Sequence, residues 1–397
     1  MQTISLPAGR SHWQLQALPP LALYIHMPWC VRKCPYCDFN SHEAKNGFDE
    51  NGYLDALVRD LELALPSIWG RRVVSIFFGG GTPSLFSAAG LDRLLADIRA
   101  RVALNADAEI TLEANPGTFE ADKFRDYRAA GINRLSIGIQ SFNAGHLKAL
   151  GRIHDEREAQ RAIEIAHRHF DNFNLDLMYA LPGQTLAEAQ ADIRTAIDAG
   201  STHLSAYHLT LEPNTLFYRY PPALPDDELS ADMQEMVEAE LASAGFDHYE
   251  TSAFARPGRR CQHNLNYWQF GDYLGIGAGA HSKLTFHDRI VREMRYKQPT
   301  QYLREIAAGA PVQESRQVAL DELPFEFMMN LLRLTGGFES QLFTERTGLP
   351  LARIERELSE AEARGLLERD HVGIRPTQAG QRFLNDLLQL FLNGEPD

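Results

Sequence analysis

The chain has 397 residues, a net charge of −14, 44% hydrophobic and 23% charged residues. That is enough for two or three domains around a large core, and an acidic chain is repelled by phosphate backbones, which argues against nucleic acid as a partner. The first twenty residues lack the basic and apolar pattern of a signal peptide, and no apolar run approaches the roughly 18 residues of a membrane span, so a cytoplasmic protein without a membrane span is expected.

Residues 1–20 read as an N-terminal extension. From 21 to 225 short apolar runs alternate with amphipathic stretches. Strands are expected at 21–25, 73–78, 109–113, 134–139, 174–178 and 203–209, with helices at 53–65, 91–102, 121–130, 157–169 and 186–199. This alternation points to an α/β fold of parallel βα units, arranged as an open doubly wound sheet or a partial barrel. Gly79, Gly80, Gly81, Thr82, Glu113, Gln140 and Asp176 fall at strand ends, where such folds place their chemistry. Region 226–310 begins after a linker at 221–225. It holds a helix at 227–244 and then a loop-rich, aromatic stretch to about 286. The tail, 311–397, is mostly helical. A helix at 351–364 stops at Gly365, and an extended piece at 371–375 leads to a last helix at 377–392. Helices with a small β wing resemble a winged helix. With 9 Arg, no Lys and 15 acidic residues, a net of −6, this domain is expected to pack or to contact protein instead of DNA.

Three of the four cysteines crowd together as Cys30-x3-Cys34-x2-Cys37, directly after the first expected strand. In a reducing compartment such a group is not a disulfide framework. Three thiolates on one loop can hold three irons of a [4Fe–4S] cubane and leave the fourth iron open to a chelating ligand. S-adenosylmethionine (SAM) offers an amino nitrogen and a carboxylate oxygen for that position, and an electron passed to its sulfonium would break a C–S bond. Zinc is the alternative, with His26 or Cys261 as a fourth ligand. The run Gly79-Gly80-Gly81-Thr82-Pro83-Ser84 lets backbone approach a ligand closely. It lacks the Gly-Lys-Ser/Thr of a phosphate-binding loop. The stretch 275–280 fits a G-x-G-x-x-A fingerprint but follows an aromatic loop, and reads as a tight turn near the SAM adenine or the 263–268 motif.

The cysteine spacing with Tyr36 before the last Cys, the glycine turn, Glu113-Ala114-Asn115-Pro116, Gly138–Phe142, Gly151-Arg152-Ile153-His154 and the segment 174–184 together resemble one branch of the radical-SAM superfamily. That branch holds the oxygen-independent coproporphyrinogen III dehydrogenases (HemN) and the haem chaperones of the HemW family. The resemblance runs from about Leu21 to the C-terminus. It implies a partial (β/α)6 barrel followed by the small winged-helix-like domain. It also implies SAM contacts from Tyr24, Gly80, Gly81, Thr82, Glu113, Gln140, Arg152 and Asp176. Two features separate the subfamilies. The dehydrogenases carry another Cys where this chain has Phe39. The chaperones carry H-N-x-x-Y-W, matched by His263-Asn264-Leu265-Asn266-Tyr267-Trp268. The resemblance thus implies a carrier that lacks dehydrogenase activity, with haem as cargo, His263 as its axial ligand, Tyr267 and Trp268 as flat faces, and Cys261 as an alternative ligand or covalent site. Apo-haemoproteins, those of the respiratory chain among them, would be the acceptors. The other readings are SAM-dependent oxidative decarboxylation of coproporphyrinogen III and a different radical-SAM reaction such as alkyl transfer.

Overall fold

The computed structural model describes residues 13–45, 47–118 and 121–392. Most of the expected N-terminal extension, residues 1–12, lies outside the described residues.

Strand β1, Leu21–Met27, shows how the sheet is built. Leu21, Leu23, Ile25 and Met27 join the apolar core, while Tyr24 and His26 alternate to the other face. Strands β2 (Arg72–Gly80), β3 (Ala103–Ala114), β4 (Arg134–Gln140), β5 (Phe173–Tyr179) and β6 (His203–His208) follow, each parallel to the one before. Helices α1 (Glu50–Ala64), α2 (Ala88–Arg101), α3 (Ala121–Ala130), α4 (Glu156–His169) and α5 (Leu186–Asp198) connect them. Reciprocal capping boxes open α4 (Asp155 with Glu158) and α5 (Thr185 with Glu188), fixing where each helix starts. These are the expected units, and they form the parallel-rich (β/α) architecture of a partial barrel.

The region 226–310 departs from expectation. It contains α6 (Asp227–Ser243), β7 (Asp247–Glu250), β8 (Ala253–Ala255), α7 (Gln262–Trp268), β9 (Asp272–Ile276), β10 (His281–Thr285), β11 (Ile290–Arg295) and α8 (Pro299–Ala307). Strand β9 is a seventh parallel strand, on the free side of β1. Strands β10 and β11 continue antiparallel from it to β12, Val312–Gln317, while β8 and β7 extend the sheet beyond β6. The expected C-terminal domain therefore gives its first strand to the large sheet. Buried charge hid this region from pattern reading. Asp272 lies inside, bonded to Lys283 Nζ at 3.0 Å and Arg71 Nη1 at 2.8 Å. Those pairings hold its carboxyl below the usual range despite burial.

The G-x-G-x-x-A stretch joins β9 to β10, with Gly277 at φ +102° and Gly279 at φ +83°. A side chain at Gly279 would strike Asn40, whose Nδ2 donates to the carbonyls of Ala278 and Lys297, both at 2.9 Å. The turn clasps the end of the cysteine loop.

The C-terminal unit has its own core, including Phe327, Phe343, Leu358 and Ile374. Strands β13 (Phe338–Glu339), β14 (Leu367–Arg369) and β15 (Gly373–Pro376) make its small sheet. The expected helix at 377–392 is two short ones, Gln378–Arg382 and Leu384–Gln389. No described helix is long and apolar enough to cross a membrane.

Candidate functional site

Alternation along six strands turns one row of each toward the barrel interior. At the carboxyl ends that row holds Gly79, Glu113, Gln140, Asp176 and Tyr207. Most of them, with the cysteine loop, line one cavity of about 360 Å³.

The cysteine loop leaves β1 through a short parallel pairing of Trp29–Cys30 with His42–Glu43. Lys33 Nζ ties it together by donating to the carbonyls of Phe39 (3.0 Å) and Ser41 (3.4 Å). Cys37 N donates to Cys34 O, tightening the x2 turn. All three thiols are free, partly buried and face the cavity. Burial pushes the Cys30 and Cys37 thiols up, so binding iron means giving up protons. Arg152 Nη1 lies 3.8 Å from Cys34 Sγ.

The glycine turn closes against this loop. Gly81 N donates to Met27 O at 2.8 Å and Thr82 N to Trp29 O at 2.7 Å. A Cβ at Gly81 would collide with the Trp29 carbonyl, and Gly80 sits at φ +110°, so glycine is required at both positions. Glu113 Oε2 accepts from Gly80 N at 3.2 Å. Arg152 Nη2 donates to Asn115 Oδ1 (2.6 Å) and Gly138 O (2.7 Å), which fixes the guanidinium between β3, β4 and the cluster loop. Gln140 ends β4 at φ +67°, a strained conformation for a residue with a side chain, at a register shift against β5.

Two carboxyls share the cavity floor. Burial, and then the charge of Asp176, push Glu113 up to about 8. Asp176 is also raised by burial, while Ser136 Oγ and Asn174 Nδ2, each donating at 2.8 Å, offset part of that. Two buried carboxyls beside open backbone groups suit a ligand with a cationic amino group, which favours their ionised form, and with hydroxyls.

Gly80, Gly81, Thr82, Glu113, Gln140, Arg152 and Asp176 thus join the three cysteines around one space. Tyr24 does not line it. Its ring stacks near Phe77 (6.3 Å) and its hydroxyl meets His26 Nδ1 at 3.0 Å. His263 lies elsewhere too. The sequence puts it in a loop-rich stretch; it sits on helix α7, 8% exposed, stacked on Phe77 at 4.8 Å with Nδ1 3.2 Å from Ser75 Oγ. Burial lowers it to about 3. Tyr267 stacks on Tyr273 at 4.6 Å, and Trp268 packs toward the C-terminal core beneath Arg333. Helix α7 plugs the amino end of the barrel and seams it to the C-terminal unit, because its polar and aromatic faces each find a packed partner. Cys261 is buried there as well, with Sγ 3.4 Å from Glu109 Oε1. His26 is held by Tyr24 and by Asn40 O at 2.8 Å. Both candidate fourth zinc ligands are therefore committed elsewhere. Among the described residues no three His, Cys, Asp or Glu side chains converge on a single ion. Three thiols spread over one cavity wall fit a larger, polynuclear group. Asn115, from the motif at 113–116, also lines the cavity, as do Ser136 and Tyr207, which no sequence motif marked.

Residues 24–196 match the Radical SAM superfamily and residues 318–383 the HemN C-terminal domain. The chain is 51% identical over 377 residues to the "Heme chaperone HemW" of Escherichia coli strain K12, a match covering 94% of this chain and 99% of that protein. The chain belongs to the HemW family. It is also 38% identical to the protein of the same name from Mycobacterium tuberculosis strain H37Rv, over 94% of this chain and 95% of the relative. Among solved structures it is similar to "Coproporphyrinogen III oxidase (HemN) from Escherichia coli", with a TM-score of 0.80 at 25% identity, over 94% of this chain and 90% of that one. The fold is the radical-SAM fold with a C-terminal helical domain.

Proposed function

We propose that this chain is a cytoplasmic haem chaperone. It holds a [4Fe–4S] cluster on Cys30, Cys34 and Cys37, binds SAM beside it, carries haem and passes it to apo-haemoproteins. The observation that carries the reading is the cavity itself, where three free thiols stand beside a side-chain-free turn and two buried carboxyls. The relatives named heme chaperones, at 51% and 38% identity, support haem as the cargo. Phe39, 59% exposed at the cavity rim, stands where the dehydrogenases carry a further Cys, which favours carriage over decarboxylation.

Each residue has a role in this reading. Cys30, Cys34 and Cys37 hold iron as thiolates, and Arg152 offsets their charge. The backbone of residues 80–82 receives the methionyl end of SAM without steric conflict. Glu113 takes up the cationic amino group and Asp176 accepts from ribose hydroxyls. Tyr24, beneath the floor, acts through Phe77 and the β1–β2 spacing. When bound, cluster and SAM supply one-electron chemistry at a sulfonium carbon.

The test is anaerobic reconstitution followed by haem titration, and an assay of coproporphyrinogen III with SAM and reductant. One cluster and one haem per chain with no decarboxylation is the expected result. Formation of protoporphyrinogen IX would replace the chaperone reading with the dehydrogenase one.

A further inference from the structure

Two exposed cations stand at the cysteine loop, in a chain whose net charge is −14: Arg32 lies between Cys30 and Cys34, where its charge also reaches Glu43, and Lys148 has no ion-pair or hydrogen-bond partner among the described residues. They line a surface groove of about 390 Å³ that also takes in Arg152 and His154. A small cavity beside Cys34 shares Arg32 and Arg152 with both the groove and the cluster cavity, so the three lie side by side. Val31 and Ile153, 51% and 50% exposed, stand in the wall of that small cavity among Arg32, Cys34, Thr82, Asn115 and Arg152.

Two polar atoms behind the groove wall are buried without a partner. His154 is 4% exposed; its Nε2 lies 3.1 Å from Ile139 O, and its Nδ1 is buried without a partner. Arg152 donates through both terminal nitrogens, while its Nε is buried without a partner. A ligand matching this groove is flat and apolar in the middle and anionic at its edge. Resting on the haem-chaperone reading above, we propose that the Arg32–Lys148 groove is the haem-propionate site, with the macrocycle over Val31 and Ile153 and its carboxylates on the two cations. This places the cargo beside the cluster cavity and on the opposite side of the barrel from His263. The carboxylate of SAM is the other carboxylate within reach, and Arg152 is shared between the two spaces.

The experiment compares haem with haem dimethyl ester, whose propionates are blocked, on the reconstituted full chain. Binding is followed by the Soret band for the wild type and for Arg32→Glu with Lys148→Glu. The wild type is expected to bind the ester about tenfold more weakly than haem. The double variant is expected to bind haem as weakly as the ester, with no further loss for the ester itself. SAM affinity by equilibrium dialysis and cluster absorbance should stay at wild-type values in the single variant Lys148→Glu, whose side chain lies outside the cluster cavity. Equal wild-type affinity for haem and ester overturns the proposal while leaving the chaperone reading in place. Loss of SAM binding in that variant would assign Lys148 to SAM. A wild type that binds neither porphyrin would overturn the chaperone reading together with this site.

Discussion

The two ends of the barrel interior are built from the same alternating rows and do opposite things. At the amino end Glu109 Oε1 accepts from His263 N (3.1 Å) and Cys261 Sγ (3.4 Å), with Arg134 Nε 3.8 Å from Oε2. His203 bridges Asn174 Oδ1 at 2.7 Å and the Tyr249 hydroxyl at 2.8 Å. Helix α7 closes this end, and His263, Asn266 and Tyr267 find partners within the protein, while Trp268 Nε1 is buried without one. At the carboxyl end the same rows present Glu113, Asp176 and three thiols to an open cavity. Polar residues inside a barrel thus mark a site only where protein partners leave them available. The chain's most suggestive short motif, residues 263–268, lies at the satisfied end.

That contrast can be broken at the open end first. Replacing Cys30, Cys34 or Cys37 by Ala is expected to abolish iron–sulfur absorbance and bound iron while leaving the circular dichroism spectrum unchanged. Retained cluster in any of the three would assign the ligands elsewhere. At the closed end, Arg134→Met should leave Glu109 as a buried uncompensated charge and cost about 3–5 kcal/mol in a denaturant melt. His263→Ala should cost about 2–3 kcal/mol through lost stacking on Phe77 and the lost Ser75 contact, with cluster content and Soret position unchanged. A changed Soret band would return His263 to the haem.

A finer test uses pH. Glu113 is raised to about 8, so it is neutral below that pH in the empty cavity and anionic above it. SAM is cationic at sulfur, so its affinity should climb as pH rises through 8, by at most about tenfold per unit. Glu113→Gln should flatten that rise. The sign for stability is opposite. The folded value lies above the ordinary 4.5, so this group's contribution is fully present below 4.5 and is lost as pH rises through about 8. The smallest effect is expected at the surface of the C-terminal unit. Arg375→Ala removes an exposed pair with Glu368 and should leave the denaturant melt unchanged.

Much of the open end was legible in the sequence. Each βα unit carries its own strand alternation and its own helix caps, and the thiols, glycines and carboxylates fall where those units end. The seventh parallel strand was not legible. Its partner β1 lies some 250 residues earlier in the chain, and its buried Asp272–Lys283 pair looks like loop composition. The state of His263 was equally hidden, because a histidine stacked under a phenylalanine and one open to a porphyrin have the same local sequence. Burial by a long-range partner decides between them, and that information resides in the packing of α7 against β2.

The most direct test of the haem-carrier claim is transfer. The reconstituted chain, loaded with one haem, is mixed with an apo-haemoprotein, and the acceptor's Soret spectrum is followed after separation of the two proteins. The account predicts that the acceptor gains haem in step with its loss from this chain, and faster than from free haem at the same concentration. Haem that stays on this chain, or an acceptor that fills no faster than from free haem, would contradict it.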